Sequence, residues 1–275
     1  MSSIVRAKPG IGKQLMLDDL GKVIVLISAD VEWRVVRQLL PSSEVQPSPY
    51  GEWFTIEVTL PDENRTAQTE LPWPGAPQDE RCPVIFFHGG WGKIAAAAST
   101  QYVIDRWKPR LLINLGTCGG FEGQVEQGDV IVADKTVVYD IVEQMGDFDA
   151  HIAHYSTTLD TGWLDETRLP FAARRTLLVS GDRDLLASEI PELHRRYGAV
   201  AGDWESGAIA WVADRNHIPL VILRGVSDVV RSLGSEAYGN LEYFAASTER
   251  IMQLLIAGLP ACLTQFRFFG KSPGM

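Results

Sequence analysis

The chain has 275 residues, 45% of them hydrophobic and 22% charged, which is enough apolar material for a core and too little polarity for a disordered chain. Its formal net charge of -10 is interspersed rather than blocked, and pairs such as Arg174-Arg175 and Arg195-Arg196 are too short to make a basic groove, which argues against nucleic acid as a partner. No apolar run nears the roughly 20 residues needed to span a bilayer, and the first residues lack the basic-then-apolar order of a secretory signal, so no membrane is expected and the cytoplasm is.

Residues 1–20 are mixed and carry Pro9-Gly10; they read as an extension ahead of one large domain over residues 21–260, with 261–275 as a tail. Residues 23–27 form a β-branched and aliphatic run. Ser28-Ala29-Asp30 follows, then apolar positions at Val31, Val35, Val36, Leu39 and Leu40, a helical period that Pro41 stops. Strand, polar turn and helix is how an α/β domain begins. Phe54, Ile56, Val58 and Leu60 alternate with Thr55, Glu57 and Thr59, the pattern of a half-buried strand near a sheet edge. Residues 61–82, with Pro72, Pro74 and Pro77, read as a surface loop. Residues 84–87 form a buried strand ending in His88-Gly89-Gly90-Trp91-Gly92-Lys93, with an alanine-rich helix from Ile94; residues 111–115 form another, ending in Gly116-Thr117-Cys118-Gly119-Gly120. Residues 130–133 and 136–139 have strand character with a polar turn between them, and 176–179 lead into Ser180-Gly181-Asp182. A helix from about Glu205 ends before Pro219, residues 221–230 run apolar into Ser227-Asp228, and residues 238–255 close the chain as a helix. The expected fold is α/β: a single-domain three-layer α/β/α arrangement around a mixed, largely parallel twisted sheet.

Glycines at a strand end let backbone amides approach a ligand, and the amino end of the next helix favours negative charge. Gly90-Trp91-Gly92-Lys93 is not a nucleotide triphosphate loop, because the glycine spacing is too short and Ile94 follows where Ser or Thr is required. Alone it reads equally as a tight turn with Lys93 in solvent. The glycines of residues 116–120 make either a ligand-facing turn or a bulge, and Cys118, with no histidine in a catalytic pattern, reads as a small buried residue. Asp203-Trp204-Glu205-Ser206 opens an apolar helix, where carboxylates are caps or ligands and Trp204 is a core anchor or a wall for a flat ligand. Glu32 is a surface glutamate or a site residue; Asp228 is a helix N-cap or an acid placed for chemistry. Cys82, Cys118, Cys262 and the five histidines match no metal-ligand spacing, so neither metal nor cofactor is expected, and a reducing compartment is.

Together these motifs, in this order, resemble the nucleoside phosphorylase and nucleosidase superfamily, most closely its bacterial 5'-methylthioadenosine/S-adenosylhomocysteine nucleosidases. Gly90-Trp91-Gly92-Lys93-Ile94-Ala95-Ala96-Ala97 is similar to the family's Gly-Ile-Gly-Lys-Val-Ala-Ala-Ala, and Asn114-Leu115-Gly116-Thr117-Cys118-Gly119-Gly120 to its Asn-Thr-Gly-Ser-Ala-Gly-Gly. Gly128-Asp129-Val130 resembles its Gly-Asp-Ile, and Val179-Ser180-Gly181-Asp182 the same motif there. Trp204-Glu205 stands where the family has Met-Glu, and Arg224-Gly225-Val226-Ser227-Asp228 where it has Arg-Ala-Ile-Ser-Asp.

The resemblance implies a purine nucleoside phosphorylase-like fold and hydrolysis of the N-glycosidic bond of a small-molecule purine nucleoside, 5'-methylthioadenosine or S-adenosylhomocysteine. It implies Asp228, aided by Ser227, as the acid that protonates purine N7, and Glu32 as the base that activates water on the opposite face, the logic of an inverting glycosidase. Glu205 would bind the ribose 2' and 3' hydroxyls and Trp204 would pack on the sugar, with Gly90, Thr117, Gly119 and Leu185 along the substrate. Residues 151–163 are expected near the 5' substituent, and a homodimer is expected because family members complete their sites across a subunit interface. Phosphorylases of the superfamily carry an arginine where this chain has Asn114, which favours hydrolysis, although Arg34 stands near the first strand. A phosphorylase and a catalytically silent nucleoside-binding homologue are the rival readings. Three departures bear on the substrate: Arg183-Asp184-Leu185 replaces Ala-Phe-Ile, Asp203 replaces a Glu, and Gly89 replaces a Ser.

Overall fold

The computed structural model describes residues 22–40, 44–60 and 80–269. The expected extension over residues 1–20, Pro41, and residues 61–79 of the expected loop lie outside the described residues.

Strand β1 (Val23–Ile27) is buried along its whole length. Its side chains alternate, with Val23, Val25 and Ile27 in one core and Ile24 and Leu26 in another. A strand buried on both faces requires a helix layer on each. Helices α1 (Asp30–Leu39) and α6 (Leu241–Phe268) supply one through Trp33, Val36, Met252 and Leu255, and α2 (Lys93–Trp107) and α5 (Ser206–Arg215) supply the other through Val103, Ile104, Ile209 and Val212. This is the expected three-layer α/β/α arrangement.

The middle of the sheet is parallel: β4 (Glu80–His88), β1, β5 (Leu111–Phe121) and β10 (Leu220–Val230) follow one another. β3 (Gly51–Leu60) joins β4 antiparallel, with β2 (Gln46–Ser48) at the edge beyond it. On the other side, β6 (Val130–Val138) pairs antiparallel with β10, β8 (Ala173–Ser180) parallel with β6, and β9 (Ala201–Asp203) parallel with β8. β9 also pairs with β5, so β5, β10, β6, β8 and β9 close on themselves as a ring. α3 (Phe148–His154), β7 (Ser156–Thr158) and α4 (Ile190–Tyr197) lie outside it. Among the described residues no helix is long and apolar enough to cross a membrane.

Several boundaries differ from those expected. Glu80 to Cys82 belong to β4 rather than to the loop, since Cys82 pairs with Val58. The glycines after Leu115 do not end β5: β10 pairs along one side of them and β9 along the other, and the strand runs on to Phe121. The two strands expected at residues 130–139 are one, with the polar turn reduced to a bulge at Asp134. The last helix continues to Phe268 and buries Cys262, Leu263 and Phe266, so residues 261–268 are helix rather than tail.

Candidate active site

A cleft of about 550 Å³ opens at the carboxyl ends of these central strands. Asp228, Ser227, Glu32, Glu205, Trp204, Thr117, Gly119 and Leu185 all line it. Gly90 does not; its positive φ of 78° serves the turn that leads to Gly92, while Trp91 between them reaches the cleft.

Glu32 sits in the first turn of α1 and is buried, not a surface residue. One carboxylate oxygen accepts the Thr117 backbone N–H at 2.6 Å and the Thr117 hydroxyl at 2.8 Å; the other accepts the Ala29 N–H at 3.3 Å. β5 comes this close because residue 116 is glycine, whose Cβ would stand 2.9 Å from the Glu32 carboxylate. Burial pushes the Glu32 carboxyl above its ordinary value, while Arg224 and Thr117 pull it down. Burial wins, so the surroundings make this carboxyl more basic.

Asp228 does not end its strand, and no helix begins until Leu241, which removes the N-cap alternative. The register of β10 against β5 shifts between Val226 and Asp228, and this bulge turns Ser227 and Asp228 toward the cleft. Ser227 Oγ lies 2.6 Å from Asp228 Oδ1. Asp228 Oδ2 accepts the hydroxyl of Ser235.

The tripeptide Asp203-Trp204-Glu205 divides its labour. Asp203 is the structural carboxylate: it takes the Ser206 N–H at 3.1 Å, the Ser180 hydroxyl at 2.7 Å and Nε of buried Arg224 at 2.6 Å. Glu205 makes no cap bond to its helix and instead accepts the Gly92 N–H at 2.8 Å, leaving it facing the cleft. Burial, reinforced by Asp203, pushes the Glu205 carboxyl up to about 8. Burial opposes the charge of Arg224, but Asp203, Glu32 and Glu205 around it overcome that and hold its proton. Asn114, fully buried, donates to the Leu26 carbonyl at 3.0 Å and accepts from Arg224 at 2.5 Å, so it orients the arginine rather than facing a ligand.

The amides at the glycine turns are already taken by carboxylates. Gly92, at φ 83°, gives its N–H to Glu205; the Lys93 N–H goes to Asp182 at 2.7 Å, and the Thr117 N–H to Glu32. The Lys93 side chain is not solvated but pairs with Asp140. Cys118 lines the cleft with a thiol that burial, then Asp203, pushes well above its ordinary range, consistent with an inert residue.

Sequence reasoning missed Arg224 and Asp203 as the electrostatic core, and the wall made by Tyr238 and Phe244. An arginine inside a strand buried throughout was the available signal for the first. None of residues 151–163, expected near the 5' substituent, lines the cleft of its own chain: Tyr155 stacks on Trp211, and Trp163 packs on Phe266. Arg34 is exposed and absent from the lining. Trp91 and Trp204 meet edge to face at 5.5 Å on one wall. No cluster of metal-binding side chains occurs among the described residues.

A mixed α/β sheet with buried carboxylates around a cleft at its strand ends has the form of a small-molecule site. The family model of the phosphorylase superfamily matches residues 75–259, and the chain belongs to that superfamily. It is 27% identical over 188 residues to the 5'-methylthioadenosine/S-adenosylhomocysteine nucleosidase of Tolumonas auensis, covering 64% of this chain and 80% of that one. With the enzyme of the same name from Listeria welshimeri the identity is 28% over 190 residues, covering 62% and 81%. The fold is similar to that of the nucleosidase of Colwellia psychrerythraea in complex with adenine, with a TM-score of 0.65, 17% identity and coverage of 89% and 95%. A Streptococcus pneumoniae nucleosidase with a transition-state inhibitor superimposes with a TM-score of 0.63 at 19% identity, covering 88% and 99%.

Proposed function

We propose that this chain is a purine nucleosidase that hydrolyses the N-glycosidic bond of 5'-methylthioadenosine or S-adenosylhomocysteine, releasing adenine and the thioribose. The names of its relatives point to that substrate. The observation that carries the reading is the convergence of Asp228, Glu32 and Glu205 on one cleft. Asp228, positioned by Ser227, gives a proton to purine N7 as the bond to the sugar breaks. Glu32, held by Thr117, takes a proton from the water that attacks the oxocarbenium-like carbon from the other face. Glu205 accepts the ribose hydroxyls with Trp204 against the sugar, and Gly119 and Leu185 flank the base.

Water rather than phosphate is favoured by charge. Asn114 replaces the phosphate-binding arginine and is spent on Arg224. The amides that would hold an anion at the α2 amino end are occupied by Glu205 and Asp182. The test is product analysis with purine nucleosides in phosphate-free buffer: free sugar and base are expected. A sugar 1-phosphate that appears only with phosphate makes it a phosphorylase, and binding without turnover makes it a silent homologue.

The same reading includes a homodimer. Trp91 and Leu241 line the cleft at 59% and 71% exposure, an apolar mouth that a single copy leaves uncovered. Light scattering should give twice the chain mass, and a monomer at micromolar concentration rejects it. A cytoplasmic location accords with the three free, buried cysteines.

A further inference from the structure

Asp228 is held from two directions, and only one of them is its neighbour Ser227. The second comes from the connection between β10 and α6. Arg231 and Gly234 close a tight turn through two backbone hydrogen bonds, 2.9 Å and 2.8 Å, with Gly234 at φ 101° and the Arg231 side chain paired to Glu236. This turn delivers Ser235 to Asp228. The Ser235 oxygen accepts the Ala237 N–H at 3.0 Å, so its own proton is free to point at Asp228 Oδ2, which it contacts. The next residues, Ala237 to Leu241, form a wall of the cleft, and the Tyr238 hydroxyl donates to the Leu185 carbonyl at 2.9 Å. Burial, then Asp184, keeps the Tyr238 hydroxyl protonated and able to donate. One loop thus shapes the cleft and touches the candidate acid.

We propose that Ser235 is a positioning residue for the hydrolysis: with Ser227 it fixes the plane of the Asp228 carboxyl and stabilises the carboxylate left when the proton moves to the base. The proposal rests on the nucleosidase reading above. As the glycosidic bond breaks, its electron pair leaves with the purine, the Asp228 proton goes to purine N7, and a negative charge appears on Asp228. The Ser227 hydroxyl, shared between Oδ1 at 2.6 Å and the Cys118 carbonyl at 3.2 Å, and the Ser235 hydroxyl on Oδ2 are in place before that charge forms and need no reorganisation. Asp228 also acts electrostatically on the Tyr238 hydroxyl on the loop and the Cys118 thiol on β5; burial, then Asp184 for the tyrosine and Asp203 for the cysteine, keeps both protonated.

The test uses the full chain, 5'-methylthioadenosine, and the variants Ser235→Ala and Ser235→Thr, with melting temperature measured alongside. Loss of one charge-assisted hydrogen bond predicts that Ser235→Ala lowers kcat about 10-fold or more while KM stays within about 3-fold. Ser235→Thr, which keeps the hydroxyl, should restore kcat. Wild-type kcat in Ser235→Ala overturns the proposal alone, as does an equal loss in both variants. Absence of hydrolysis by the wild type overturns the nucleosidase reading and this proposal with it.

Discussion

The floor of the cleft and its outer wall are built differently. The floor is carried by strands and helix ends: Glu32 on α1, Thr117 on β5, Asp203 on β9 and Arg224 on β10 are joined by charge-assisted hydrogen bonds in the core. The wall is carried by two loops, around Leu185 and from Ala237 to Asn240, linked by the Tyr238 hydrogen bond and tied to the floor at Asp228 through Ser235. The difference assigns tasks. Charges that must not move sit on elements locked by packing, and the surface that selects the substrate sits on segments whose side chains can change without disturbing the sheet.

The largest effects separate the reacting group from the frame beneath it. Asp228→Asn should abolish turnover, about 10³-fold or more, while nucleoside binding and melting temperature stay close to wild type, because the change removes a proton donor and keeps the shape. Asp203→Asn should do the reverse in part. It strips buried Arg224 of its ion-pair partner, a loss of about 3 kcal/mol that should appear as a lower denaturation midpoint. If Asp228→Asn hydrolyses 5'-methylthioadenosine at the wild-type rate, Asp228 is not the acid; if Asp203→Asn is as stable as wild type, the floor does not depend on that pair.

The same contrast explains what was legible in the sequence. β1, α1 and the middle of β5 and β10 were readable because strands buried on both faces need unbroken apolar runs, and a helix needs its period. Glu32, Thr117 and Asp228 lie next to such runs, but their roles came from the resemblance of their motifs to the nucleosidase family, since patterning alone left Glu32 a surface residue and Asp228 a cap as readily as site residues. The extent of β5 could not, because glycines that look like a strand end remain in the sheet when partners lie on both sides. The closed ring of β5, β10, β6, β8 and β9 depends on pairings far apart in sequence, which no local pattern encodes. Asp203 and Glu205 look alike as two acids at a helix start; the resemblance singled out Glu205, and Arg224, arriving from β10, is what makes Asp203 the anchor. The wall was least legible, since Ser235 and Tyr238 lie in a segment without period and act through contacts to residues outside that segment, Asp228 and Leu185.

The smallest expected effect tests the boundary between floor and wall, where Glu205 faces the cleft from a floor helix. Its carboxyl is raised from 4.5 to about 8, chiefly by burial and next by Asp203. A group whose proton is held more tightly in the folded state contributes stability that is full below its unfolded value and is lost as pH rises through the folded one. For Glu205 that window runs from about pH 4.5 to about pH 8. Glutamine carries the same shape without the titration, so Glu205→Gln should gain on the wild type across this window, by a few degrees in melting temperature at pH 8.5 relative to pH 5. Melting curves recorded at half-unit steps decide it. Parallel pH dependences for the two proteins would mean that Glu205 is already ionised in the empty cleft, and that the Gly92 amide outweighs burial and the neighbouring Asp203.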